Sequence, residues 1–264
     1  GQAAGVSVTS TNANPMAMLN SVRVRGTTSI TGGNDPLVII DGVSSDLATL
    51  SSIYPADIES FNILKNAAET APYGSRGAPG VIEVTTKKGS GSQFHISYDG
   101  NIGMQHTYKN IEMLNAAQYI RTAQQLGTDY NNGGYDTDFP QSITRTGWVQ
   151  NHHVAFSGGT DDSNYRASIG FMDNRTVIRN NAYQNFVAKL DLSQKAFDDR
   201  MTIDMGVFGS SQTNKDIFDE WKLFYSAASQ NPTFGTAPNA SGGWDKNSTA
   251  SQINPPQALL REKN

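Results

Sequence analysis

The sequence predicts a small α+β domain with a mixed sheet, followed by the strands of an all-β antiparallel region. Three observations carry that prediction. Residues 73–89, YGSRGAPGVIEVTTKKG, form a glycine-punctuated loop running into a β-rich segment, and match no soluble enzyme motif. From residue 94 onward, several segments alternate apolar with polar side chains over the roughly 9–11 residues that a barrel strand needs. Short and long connections between those segments also alternate.

The first element, Val22 to Gly26 (VRVRG), reads as a short strand. Residues 32–45, GGNDPLVIIDGVSS, set an apolar strand against an Asp41-Gly42 turn, which is a hairpin signal because such turns need positive φ. Pro55 to Leu64 forms a third block. Gly74, Gly77 and Gly80 then recur around Arg76 and Pro79, as suits a backbone that turns sharply and lies close to another surface. Val81 to Thr86 is a strand closed by Lys87, Lys88 and Gly89.

These four blocks, Val22 to Gly26, Asn34 to Val43, Pro55 to Leu64 and Tyr73 to Gly89, stand in the order of a known family. The chain resembles the plug domain of TonB-dependent outer-membrane transporters, specifically the SusC/RagA-type branch that imports large nutrients in Bacteroidetes-like bacteria. The resemblance is close over about residues 20–100 and departs from the family at Asn14 to Asn20, NPMAMLN. It implies a plug over residues 1–90, partial at its N-terminus, inside a transmembrane barrel of about 22 strands. Residues 91–264 would supply the first strands and extracellular loops, so the chain is expected to be a fragment. The resemblance further implies energy from TonB, through a box absent from this chain, and a SusD-like surface lipoprotein as lid. The implied substrate is a glycan, or second a peptide, and the implied location is the bacterial outer membrane.

Composition agrees with that expectation without requiring it. A net charge of −4, from 20 Lys+Arg against 24 Asp+Glu, gives no basic block for a nucleic-acid partner. The absence of cysteine excludes a disulfide framework. No signal peptide is read at Gly1, and no run approaches the ~18 apolar residues of a membrane helix. Barrel strands, however, average to a polar score.

The wall segments follow in order. Phe94, Ile96, Tyr98, Ile102 and Met104 share one parity, opposite His95, Ser97, Asp99 and Asn101. A poorer strand is expected from His153 to Gly159. Tyr165, Ala167, Ile169 and Phe171 oppose Arg166 and Ser168. Phe186, Ala188, Leu190 and Leu192 oppose Lys189 and Asp191, and Met201, Ile203, Met205 and Val207 oppose Thr202, Asp204 and Ser210. Lipid outside and water inside would demand this pattern, yet a soluble sandwich with its apolar face turned inward gives the same alternation. Connections help: Gly159 to Asn164 and Ser193 to Arg200 are short, while His106 to Gln150, Arg175 to Ala182 and Asn214 onward are longer. Within the first long connection, residues 114–127 predict a helix with Leu114, Ala117, Ile120 and Ala123 or Gln124 near one face.

No catalytic centre, cofactor fingerprint or metal-ligand spacing is legible, so the chain is read as no enzyme. The adjacent pair His152 and His153 would point to opposite faces of a strand and share no ion. Arg23 and Arg25 are candidates for docking the plug to carboxylates on the wall, either structurally or as a removable seal. Asn34, Asp35, Asp41, Gly42, Arg76 and Gly77 are loop and turn positions able to face arriving substrate. Trp221, Phe224, Tyr225, Phe234 and Trp244 are aromatics of the last loop, which either stack on sugars, anchor a partner, or pin the loop to itself. The rival from another class is a secreted, soluble β-rich glycan-binding or adhesion module; a signalling receptor of the same architecture is a third reading.

Overall fold

The computed structural model describes residues 6–8, 22–24, 33–89, 93–109, 111–217, 219–245 and 255–261. Two compact units emerge. The first gathers Gly1–Ile102, Gln150–Asp173 and Gln184–Thr213, and the second Gly103–Val149, Asn174–Tyr183 and Asn214–Asn264.

In the first unit, β1 (Val6–Val8) pairs antiparallel with β2 (Val22–Val24). A mixed sheet follows, built from β3 (Leu37–Ile40), β4 (Val43–Ser45), β5 (Ile58–Leu64) and β6 (Val81–Thr86) in the order β4-β3-β6-β5. Strands β3 and β6 are parallel, and the two outer pairings are antiparallel. The predicted hairpin turn forms at Asp41 and Gly42, with φ of 50° and 84°. Because β3 and β6 lie in register, Val38, Ile82 and Val84 share one face with Val22, Leu47 and Leu50, while Leu37, Ile39 and Val81 pack on the other with Leu64 and Tyr73. Both faces of this sheet are therefore apolar and covered, as a parallel pair requires.

Helix α1 (Leu47–Ser52) starts where Asp46 accepts a hydrogen bond from the Thr49 amide, and α2 (Ala67–Thr70) starts at a capping box of Asn66 and Glu69. Residues Ala71–Gly77 then wind through 3-10 turns, broken at Gly74 by a φ of 58°. Gly80 completes the loop at a φ of 108°, where a Cβ would stand 2.7 Å from Val24. The glycine at 80 is thus needed both for its backbone and for close approach to β2.

The wall is a meander of β7 (His95–Gln105), β8 (Gly147–Gly159), β9 (Ser163–Arg175), β10 (Ala182–Ala196) and β11 (Met201–Lys215), in the order β11-β10-β9-β8-β7. The links after β8, β9 and β10 are too short for a parallel crossover. Across β7 and β8, Phe94 meets Phe156, Tyr98 meets His152 and Asn101 meets Asn151, so one number rises as the other falls and the pair is antiparallel.

Burial on β9 and β10 separates the two readings of the alternation. Arg166 and Ser168 are 9% and 3% exposed, while Ile169 between Ser168 and Gly170 is 50% exposed. On β10, Asn185 and Val187 are buried and Phe186 is 47% exposed; Leu190 and Leu192 are exposed too. Apart from Val187 and Tyr183, the inward parity of these strands is polar or small, and the large apolar side chains Ile169, Phe186, Leu190 and Leu192 face out, the reverse of a soluble sandwich. Among the described residues, no helix is long and apolar enough to cross a membrane, which leaves crossing by strands untouched.

In the second unit, α3 (Ala116–Leu126) begins at an Asn115–Gln118 capping box and stops at Gly127, in the left-handed region. Its buried positions are Ala116 and Ala123; Leu114 and Ala117, expected on the inner face, are exposed because the helix starts two residues later and is rotated by its cap. A separate core joins α4 (Phe139–Ser142), α5 (Glu220–Ser229) and α6 (Pro256–Leu259) through Phe139, Ile143, Ile178, Leu223, Phe234 and Leu259. Within the last loop, α5 starts at Asp219, whose side chain accepts from the Lys222 amide and caps the helix.

If the outward face meets lipid, Ile169→Arg should weaken folding of the full-length protein into phospholipid vesicles, by about 2–4 kcal/mol for a mid-depth position. Ile169→Leu should leave it unchanged. Equal urea midpoints for the two variants would show that this face does not meet hydrocarbon.

Candidate functional site

Within the first unit the plug sheet is tied to the wall by polar side chains, and the most buried of these ties is Asp57. The residue ends a 3-10 turn, Pro55–Asp57, whose proline suits the first position of a turn, and its own carbonyl accepts from the Lys87 amide at 2.8 Å. Its carboxylate is held from three directions by wall residues. Arg166 Nη2 donates to Oδ1 at 2.9 Å, Ser168 Oγ donates to Oδ2 at 2.7 Å, and His153 Nε2 lies 3.0 Å from Oδ2. All four side chains are buried.

Burial pushes the Asp57 carboxyl up, but the hydrogen bonds from Ser168, Arg166 and His153 outweigh that and hold it below its ordinary value. The carboxylate is therefore ionised, and His153 Nε2 carries the proton that it donates. Tyr54 covers the imidazole, with ring centroids 4.5 Å apart and planes within 13°. The same tyrosine needs room on β9: a Cβ at Gly170 would come within 2.8 Å of its ring. His153 Nδ1 has no hydrogen-bond partner among the described residues, and Asp99 Oδ2 stands 4.0 Å from it.

A second tie lies at the hairpin turn. Asp41 accepts from the Thr86 amide at 2.8 Å and from Thr86 Oγ1, which braces β3 against β6. Lys189 of β10 reaches the same place, 3.6 Å from Asp41 and 2.7 Å from its neighbour Asp191, and donates to Thr86 Oγ1. Asn185 adds a bond to the Ser52 carbonyl at 3.4 Å. Lys88 and Asp204 make a further pair at 3.8 Å that is half exposed and contributes little. Chemically the arrangement holds two surfaces together through ion pairs and hydrogen bonds.

The sequence expected plug arginines to meet wall carboxylates. In the observed ties the polarity is the other way round, with plug carboxylates, Asp57 buried and Asp41 partly exposed, meeting wall cations Arg166 and Lys189. Arg23 is exposed on β2, because Val22 and Val24 take the buried parity, and Arg25 lies outside the described residues. Of the plug candidates, Asp35 and Arg76 line one cavity of about 550 Å³ on the plug. Asn34 is half-buried, Gly42 sits at the exposed turn beside Asp41, and Gly77 is buried against Thr70. Trp221, Phe224 and Tyr225 are exposed on α5, with Trp221 at 79%, whereas Phe234 is 2% exposed and pins the loop. Trp244 lies under the Arg261 guanidinium at 5.0 Å.

His153, Arg166 and Ser168 were missed as a site. Their inward parity was readable in the alternation, but their common partner lies about a hundred residues upstream.

Residues 1–81 match the TonB-dependent Receptor Plug Domain family. The chain is 37% identical over 212 residues to the TonB-dependent receptor SusC of Bacteroides thetaiotaomicron, covering 76% of this chain and 21% of that protein. A TonB-dependent receptor of Formosa agariphila is 34% identical over 272 residues, covering 99% of this chain and 26% of the relative. The chain thus spans about a quarter of the length of these relatives or less. Among solved structures, the RagAB peptide transporter superposes with a TM-score of 0.77 at 20% identity, over 98% of this chain and 34% of that one.

Asp57→Ala leaves Arg166 buried without its counter-charge and His153 Nε2 and Ser168 Oγ without their acceptor, and should weaken seating of the plug by about 3–5 kcal/mol. The measurement is the urea dependence of protease cleavage within the plug of the full-length protein. Because the folded pKa is depressed, the Asp57 contribution should be complete above the ordinary value of 3.8 and fade as pH falls below it. The difference between wild type and Asp57→Asn should follow that course; a difference independent of pH down to 2 would contradict the assignment.

Proposed function

Because this chain belongs to the SusC/RagA type of TonB-dependent receptors, we propose that the full-length protein imports a large nutrient across the bacterial outer membrane. In this reading residues 1–90 form the plug and residues 91–264 the first strands and extracellular loops of the barrel. The observation that carries it is the polar seat of the plug: Asp57 and Asp41 are held to the wall by side chains rather than by an apolar core.

Such a seat is suited to repeated opening. A buried ion pair gives little net stability over apolar packing, but losing one partner is costly, so the contact fixes orientation more than it adds strength. When the plug is drawn from the wall, water replaces each lost hydrogen bond, whereas an apolar interface would expose grease to the lumen. The outer membrane holds neither ATP nor a steady potential, so the work is assigned to TonB acting on a segment of the longer protein. A SusD-like surface lipoprotein is the proposed lid. Glycan is the first proposed cargo and peptide the second, the latter supported by the RagAB resemblance. Asn34, Asp35, Asp41, Gly42, Arg76 and Gly77 are proposed to lie toward the cargo path, and Arg23 with Arg25 to add to plug docking. The exposed aromatics Trp221, Phe224 and Tyr225 are proposed to meet cargo or lid. No catalytic role is assigned.

The test is uptake of fluorescent oligosaccharides and oligopeptides by cells carrying or lacking the gene, with and without an uncoupler. Import should need both the gene and the proton gradient, and a lipoprotein should co-purify with the protein after detergent extraction. Asp57→Ala combined with Lys189→Ala should raise entry of a large antibiotic such as vancomycin. Uptake indifferent to the uncoupler, or recovery of the protein in the salt-washed soluble fraction, would sink the proposal.

A further inference from the structure

The second unit contains a cavity of about 520 Å³ lined by Arg145, Arg179 and Arg261, and no Asp or Glu lines it among the described residues. We propose that this cavity binds the carboxylate or sulfate group of an acidic saccharide. The proposal rests on the import reading above and narrows the cargo to an anionic, hydroxyl-rich class.

Guanidinium groups gathered around one space repel each other, so their placement needs a cause in the backbone that holds them. Arg145 donates from Nε to the Thr176 carbonyl at 3.1 Å and from Nη2 to the Asn181 carbonyl at 2.8 Å. Arg179 donates from Nε to the Thr144 carbonyl at 2.9 Å. Arg261 stacks over Trp244. The Arg145 and Arg179 guanidinium groups are therefore oriented by backbone carbonyls before any ligand arrives, which lowers the ordering cost of binding. The support beneath is rigid: Ile143 and Ile178 are fully buried, Thr144 and Ile178 form a β-bridge, and the Arg179 amide donates to the Ile143 carbonyl at 2.9 Å. Asn180 adopts a left-handed φ of 63° and donates to the Leu260 carbonyl at 2.8 Å, closing the turn that presents Arg179.

Arginine rather than lysine is the side chain suited to a planar or tetrahedral oxyanion, because its fork makes paired hydrogen bonds. The other lining residues include Ser142, Thr236 and Gln257, and Leu260 is the apolar member. Hydroxyl and amide groups beside the arginines fit the hydroxyls of a sugar ring, and the aliphatic stems with Leu260 leave apolar surface for its C–H faces. The volume lies within the range of small-molecule sites.

The experiment is calorimetric titration of the full-length protein in detergent with trigalacturonate, a sulfated galactose disaccharide, maltotriose, triglutamate and sodium sulfate. At least one of the two acidic saccharides should bind at least about tenfold more tightly than maltotriose, with affinity falling as salt rises. Arg179→Gln with Arg261→Gln should remove that preference; Arg261→Gln alone, at an exposed position, should reduce it while keeping the thermal midpoint. The proposal is overturned if no acidic saccharide binds, if the variants keep the preference, or if triglutamate or sulfate alone binds as tightly. Energy-dependent uptake of a neutral oligosaccharide alongside any of those results would leave the import reading standing and remove only this site.

Discussion

A wall that turns mostly polar side chains inward must seat a domain chiefly through polar contacts, and this constraint organises the first unit. With Ile169, Phe186 and Leu190 facing out, the inner surface left for contact is mostly polar, made of Arg166, Ser168, Asn185, Lys189 and Asp191 with Val187 among them. An apolar plug surface would have stranded those groups without partners, at a cost of about 1–3 kcal/mol for each buried one. The plug instead spends its own apolar side chains within its sheet, on both faces, and offers carboxylates and carbonyls outward. Folding of the plug and docking of the plug thus use different chemistry.

The depth of each tie follows from local geometry. Asp57 is buried because the 3-10 turn that carries it lies against β8 and β9, with Tyr54 roofing His153 and Gly170 making space for Tyr54. Asp41 sits at a hairpin tip that stays partly exposed, so its contact with Lys189 is longer and shared with Asp191. A deep tie fixes position and a shallow one adds little, which gives a seat that is oriented firmly without being held by a large dry interface.

The second unit obeys the ordinary soluble rule. Its apolar residues Phe139, Ile143, Ile178, Leu223 and Phe234 meet one another in a dry core, and charged residues such as Arg179 remain outside. The contrast has a simple origin: long connections between wall strands carry enough residues to build their own core, while strands of alternating polarity cannot.

Much of this was legible along the chain. The Asp41-Gly42 turn, the bounds of Val81–Thr86 and the parity of β9 and β10 depend on neighbours a few residues apart, and local sterics with a two-residue period determine them. The direction in which the apolar stripe faced was not, since the same period serves a sandwich and a barrel; burial on β9 and β10 decided it. Nor was the seat legible: the docking candidates readable along the chain were Arg23 and Arg25, and Asp57 was not among them. A charge on a strand declares its own side but not its partner, and the carboxylate of Asp57 meets His153, Arg166 and Ser168 only once the plug and the wall have folded against each other. Pattern along the chain settles which side each residue takes, while the pairing of distant charges waits on tertiary contact because it costs desolvation that only a shared, closed space can offset.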